Sequence, residues 1–216
     1  IPDFRRPPDA SSADALDDVR AAYERVLELG AGRACVGGDL AGGGLALAFA
    51  IKIRDAGATP DGRDGAWHLA PPAGCLAISP WVDLGEERTG GSRLSNERWD
   101  FLPGDMIDLL ARETVEASGS DASHSPVKFD LHGLPPTLIQ TGQCEVLHDQ
   151  QVRLAWHDSG TFDQRLSDFP SRGGANGSGA GQELRARSAG ASGRRGTCLH
   201  WPLAPRAARH AAAGRL

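Results

Sequence analysis

The sequence predicts an α/β chain built on a parallel sheet with helices against both faces. Two observations carry the prediction. Short apolar runs that read as buried strands alternate with longer stretches of helical periodicity. The chain is also long enough for one such core, with 216 residues of which 40 % are apolar.

Each element has its own signature. Residues 14–29 place Leu16, Val19, Tyr23, Val26 and Leu27 at helical spacing, with Gly30 as the stop. Residues 33–37 form a short buried strand. A sharp turn follows at Gly38-Asp39-Leu40-Ala41-Gly42-Gly43-Gly44, and residues 41–55 form the next helix, ending near Gly57. Its small, glycine-rich first turn lets helix and sheet approach closely. Residues 58–72 are a polar loop. Residues 74–79 form the second buried strand, stopped by Pro80. Residues 104–117 are helical, with Asp105 near the start. Residues 136–141 are a third strand after Pro135, and residues 148–159 a helix closed by Gly160.

After about Arg165 the periodicity ends. Residues 171–198 are mostly Ser, Gly, Ala and Arg, a composition that buries too little surface to offset chain entropy. The expected organisation is therefore residues 1–164 as the α/β domain and 165–216 as an irregular, low-complexity tail rich in Arg, Gly and Ala. The charge divides at the same place. Residues 1–164 carry 14 basic and 26 acidic side chains, while residues 165–216 carry nine Arg and two acids. Arg outnumbers Lys 21 to 2, as in a GC-rich gene, and the tail reads as disordered or as the product of a shifted frame. The first residue is Ile1 rather than Met, so the chain reads as a fragment or a mis-started frame.

A net charge of −5 gives no reason to expect nucleic acid or an anionic membrane as partner. The Arg-rich tail lacks the aromatic interleaving of a nucleic-acid binder. No apolar run approaches the ~20 residues needed to span a bilayer, and no signal-peptide core follows the N-terminus. Cys35, Cys75, Cys144 and Cys198 are widely spaced, without a C-x-x-C pair. The first three sit in or beside strand-like runs and read as buried free thiols, which points to a reducing cytoplasm. No cofactor is expected.

The chemistry concentrates at the turn after the first strand. In the motif G-x-S-x-G such a strand–turn–helix junction carries a nucleophilic serine. Here the central position is Leu40, which has no nucleophilic atom. Gly42-Gly43-Gly44 lacks the Lys-Ser/Thr of a phosphate loop, so nucleotide binding is disfavoured. His124, His132, His148 and His157 lack metal-ligand spacing and read as surface or loop residues. Ser79 precedes Pro80 with no base evident nearby, and reads as a strand-end residue that positions Trp81. Ser125 reads as the start of a turn with Pro126, and Trp81, Trp99 and Trp156 as core or helix-packing residues.

Several blocks occur in a fixed order: Ala15-Leu16-Asp17-Asp18-Val19, Gly38 to Gly44, Leu45-Ala46-Leu47-Ala48, Ser79-Pro80-Trp81-Val82-Asp83-Leu84, Ser125-Pro126, Gly133 to Ile139, and Gly142 to Asp149. Over roughly residues 3 to 162 this ordered set closely resembles the hormone-sensitive-lipase-like branch of bacterial α/β-hydrolases, the carboxylesterases and acetyl-hydrolases. The resemblance implies a partial α/β-hydrolase fold and ester hydrolysis through an acyl-enzyme, by Ser, acid and His in that chain order. It puts the nucleophile position on Leu40, the acid on Glu145 with Asp149 as the alternative, and one oxyanion donor on the backbone N–H of Ala41. It also implies a small acyl ester or acetylated small molecule as partner. The departures matter equally. No histidine lies between His157 and His200, His200 and His210 match no family motif, and the family's His-Gly-Gly-Gly oxyanion motif is not in this sequence. The expectation is a family member inactive by the family's route, with a non-catalytic acyl-binding or decoy module as the alternative.

Overall fold

Three strands that follow one another in sequence also lie side by side, so each connection must carry the chain one strand over in the same direction. The computed structural model describes residues 1–58, 67–85, 91–119 and 125–156, and the backbone of Gln182–Ala186. Its elements are α1 (Ser12–Glu28), β1 (Cys35–Asp39), α2 (Ala41–Gly57), β2 (Gly74–Ile78), α3 (Ser92–Ser95), α4 (Gly104–Ser118), a 3-10 turn (Pro126–Lys128), β3 (Thr137–Thr141), α5 (His148–Trp156) and β4 (Gln182–Ala186). The sheet order is β1-β2-β3-β4. The first three strands are parallel, with Asp39 opposite Ile78 and Ile78 opposite Gln140. The carboxyl ends of all three strands therefore reach the same edge of the sheet, where ligands bind in open α/β folds.

Sequential order and right-handed crossovers put the connecting helices on one face. There Ala46, Leu47, Ala50 and Ile51 of α2 meet Cys75 and Ala77 of β2, Ile139 of β3 and Leu154 of α5. Tyr23 of α1 packs edge-on against Phe49 of α2 at 5.2 Å, which places α1 outside α2. Helix α1 starts on a capping box. The Asp14 N–H donates to Ser11 Oγ at 3.2 Å and the Ser11 N–H donates to Asp14 Oδ2 at 2.8 Å. Helix α4 follows Pro103 and stops at Gly119, whose φ of 70° suits the left-handed end of a helix.

Five sequence expectations change. The helices described here cover one face of the sheet rather than both. Leu76, on the opposite face, is exposed, because a strand's side chains alternate between faces and no described helix lies there. Strand β1 is half exposed rather than buried, since β2 is its only neighbour among the described residues. Cys35 and Cys144 are accordingly exposed, on the edge strand and on the loop after β3, and Cys75 is the one buried cysteine among the described residues. Trp99 is exposed, with the Arg98 guanidinium 4.7 Å from the centre of its ring, whereas Trp81 is buried as expected. The backbone of Gln182–Ala186 adds a strand antiparallel to β3 within the expected irregular tail, for backbone pairing needs no apolar pattern. The rest of that tail, His157 and His124 lie outside the described residues.

Candidate functional site

The turn after β1 has the backbone of a nucleophile elbow. Leu40 has φ 52° and ψ −115°, a region that costs a non-glycine residue ~1–3 kcal/mol. Its surroundings fix it there. The Leu40 N–H donates to the Ile78 carbonyl at 3.0 Å, and its own carbonyl accepts from Gly43, Gly44 and Trp81 at 3.1, 3.1 and 3.0 Å. The flanking glycines follow from close approach. A Cβ on Gly38 would collide with the Gly42 backbone, and one on Gly44 with the Trp81 carbonyl oxygen. The Leu40 side chain packs against the buried cluster of Trp81, Leu102, Ile107, Val146 and Leu147.

One strand over, Ser79 follows β2 with φ 45°. Its N–H donates to the Gln140 carbonyl at 2.7 Å, and its Oγ donates to Glu145 Oε1 at 2.6 Å. The Gly142 N–H donates to that same carboxylate oxygen at 2.8 Å. The loop after β3 that carries Glu145 is tied down from outside. Asn96 Nδ2 donates to the Gln143 and Glu145 carbonyls at 2.8 and 2.9 Å, and the Val146 N–H donates to Asp100 Oδ2 at 2.7 Å. Buried Gln150 accepts from the Val82 and Asp83 N–H groups at 2.7 and 2.9 Å, which joins α5 to the segment after β2.

Leu40, Ser79 and Glu145 share one cavity of about 380 Å³, with Asp39 at the end of β1 and Trp99 and Phe101 at its rim. Ala41 opens α2 and lines a second, mostly apolar cavity of about 280 Å³ with Phe4, Leu45, Trp81 and Leu110. Asp149 lies outside the lining of the first cavity, because its carboxylate accepts the Ser92 N–H at 2.7 Å. The histidines are elsewhere. His132 is exposed and 2.7 Å from Asp130, and the backbone N–H of His132, followed by that side-chain contact, holds the Asp130 carboxyl below its usual range. His148 Nδ1 is 3.2 Å from Thr141 Oγ1. Among the described residues no group of three His, Cys, Asp or Glu side chains could hold a metal ion.

Three features of this site were not visible in the sequence. The carboxylate beside Ser79, that of Glu145, lies 66 positions away, on another strand's loop. Asn96 and Asp100, which strap the Glu145 loop, belong to a segment with no motif, and their partners are set only by the fold. Gln150 carries no local signal beyond a polar position on a short helix.

Residues 1–158 match the family described as alpha/beta hydrolase fold. An acetyl-hydrolase of Streptomyces hygroscopicus is 42% identical over 156 residues, covering 70% of this chain and 48% of that one. A solved esterase of the bacterial hormone-sensitive lipase family is 30% identical with a TM-score of 0.62, covering 73% of this chain and 50% of the other. EstE5, crystallised and soaked with p-nitrophenyl butyrate, is 34% identical with a TM-score of 0.60, again over 73% and 50% of the two chains. The chain spans about half the length of each of these relatives. With the elbow, the parallel sheet and the matched residues in agreement, the chain belongs to the α/β-hydrolase fold family, in its hormone-sensitive-lipase-like group of esterases and acetyl-hydrolases.

Proposed function

We propose that this chain keeps the acyl-ester site of its family while the family's hydrolytic route is closed at Leu40. The observation that carries the reading is Leu40 itself, held in the elbow's strained backbone with no nucleophilic atom. Glu145 is the acid of that site and Ala41 an oxyanion donor, at the N-terminus of a helix where negative charge is favoured. Loss of a triad serine alone costs on the order of 10⁶ in kcat. The ligand is a small acyl ester or acetylated small molecule, a reading supported by the rim of Trp99 and Phe101 around the cavity. The free thiols at Cys35, Cys75 and Cys144 support a cytoplasmic setting, and among the described residues no helix is long and apolar enough to cross a membrane.

The test pairs turnover with binding. Steady-state release of nitrophenolate from p-nitrophenyl butyrate should not exceed that of a heat-treated control. p-Nitrobutyranilide, its amide analogue, should raise the melting temperature in a saturable way. Turnover well above the control would reopen the hydrolytic route, and the absence of any shift would sink acyl binding.

A further inference from the structure

Ser79 and Leu40 are the two non-glycine residues with positive φ among the described residues, and both line the cavity that holds Glu145. Such outliers cluster where chemistry is done, held by the structure around them. At Ser79 the hold is the N–H bond to the Gln140 carbonyl. The 2.6 Å from Ser79 Oγ to Glu145 Oε1 is the length of a charge-assisted O–H···O⁻ bond. The Gly142 N–H orients that carboxylate from another side. A hydroxyl, a base within reach and a third group that orients the base together form the arrangement of an activated nucleophile. Ser92 and Ser125, by contrast, are buried and bonded to backbone, Ser92 to the Val146 carbonyl and Ser125 from the Leu84 N–H. Ser11 also meets a carboxylate at 2.6 Å, but that of Asp14, which closes the cap of α1 outside this cavity.

We propose that Ser79 accepts acyl groups from small activated esters, with Glu145 as its base. The proposal rests on the reading of this cavity as an acyl-ester site. Ser79 Oγ forms a bond to the acyl carbonyl carbon and its proton passes to the Glu145 carboxylate. The bond from that carbon to the ester oxygen breaks, and the leaving alkoxide keeps the electron pair. A carboxylate is a weaker base than an imidazole, so esters with good leaving groups are the substrates. Among the described residues no histidine lines the cavity to activate a deacylating water, and the acyl-enzyme on Ser79 is the species that adduct mapping detects.

The test incubates the whole chain with p-nitrophenyl acetate and, separately, with a fluorophosphonate, then maps adducts by peptide mass spectrometry. The expected result is one adduct, on the peptide that carries Ser79. Ser79→Ala should abolish it, Glu145→Gln should slow it at least ~10-fold, and Ser11→Ala should leave it unchanged. Mapping is done on the unaltered chain, so the outcome does not depend on a variant folding. No adduct, or an adduct at Cys144, Lys52 or another serine, overturns the proposal. If p-nitrobutyranilide stabilises the chain while Ser79 stays unlabelled, this inference falls and acyl binding stands. If neither occurs, both fall.

Discussion

At Leu40 the backbone alone holds a strained turn that the side chain does not require. Four backbone hydrogen bonds converge on this one residue, from β2, from the first turn of α2 and from Trp81. Changing its side chain leaves those bonds in place, so Leu40→Ser should keep the elbow. The new hydroxyl would face the cavity, but no histidine lines that cavity among the described residues. Removing the leucine also loses its packing against the cluster around Trp81 and Leu147, worth roughly 1–2 kcal/mol for a half-buried apolar side chain. The expected outcome is a lower melting temperature and p-nitrophenyl butyrate turnover still at the heat-treated control. Robust turnover by this single variant would show that the remaining site holds a full set of partners.

At the scale of elements, the start of α1 ties folding to pH. Hydrogen bonds from the Ser11 hydroxyl and then from the Ser11 N–H hold the Asp14 carboxyl below its ordinary value of 3.8. Arg5 does the same for Asp18, first through its side-chain hydrogen bond and then through its backbone N–H. A carboxyl whose pKa is depressed on folding contributes stability above its unfolded value and loses it as pH falls through the folded value. The melting temperature should therefore hold down to about pH 4 and fall steadily below it. Asp14→Asn should lower the plateau and flatten part of that slope. An unchanged slope in the variant would remove Asp14 from the acid response. The helices and parallel strands were legible in the sequence because apolar spacing, caps and stops are local signals. The short α3 and the straps from Asn96 and Asp100 were not, since they exist only once the loop after β3 is in place. Trp99 was misread for a related reason. Large aromatic side chains usually bury, and only the folded loop shows this one at the cavity rim. Leu40 was legible as a motif, whereas the pairing of Ser79 with Glu145 depends on the register of β2 against β3.

For the molecule as a whole, the question is whether a sheet with helices on one face among the described residues closes cooperatively. Three of the four thiols, those among the described residues, report on this separately. Cys35 lies on the edge strand and Cys144 on the loop after β3, both exposed, while Cys75 sits on the central strand β2 under α2. Burial, and secondarily the nearby Cys35, push the Cys75 thiol up to about 12. Its thiolate is therefore scarce at neutral pH as well as shielded, and the thiolate is the species that alkylates. In the native chain iodoacetamide should modify Cys35 and Cys144 first. Cys75 should react only through opening of the sheet. A stability of about 5 kcal/mol, the low end for native domains, would slow that reaction by roughly 10³–10⁴ relative to the unfolded chain. In denaturing urea the three rates should converge. Peptide mapping of the alkylated chain resolves each site, and equal labelling of all three without urea would show that the core around β2 does not form.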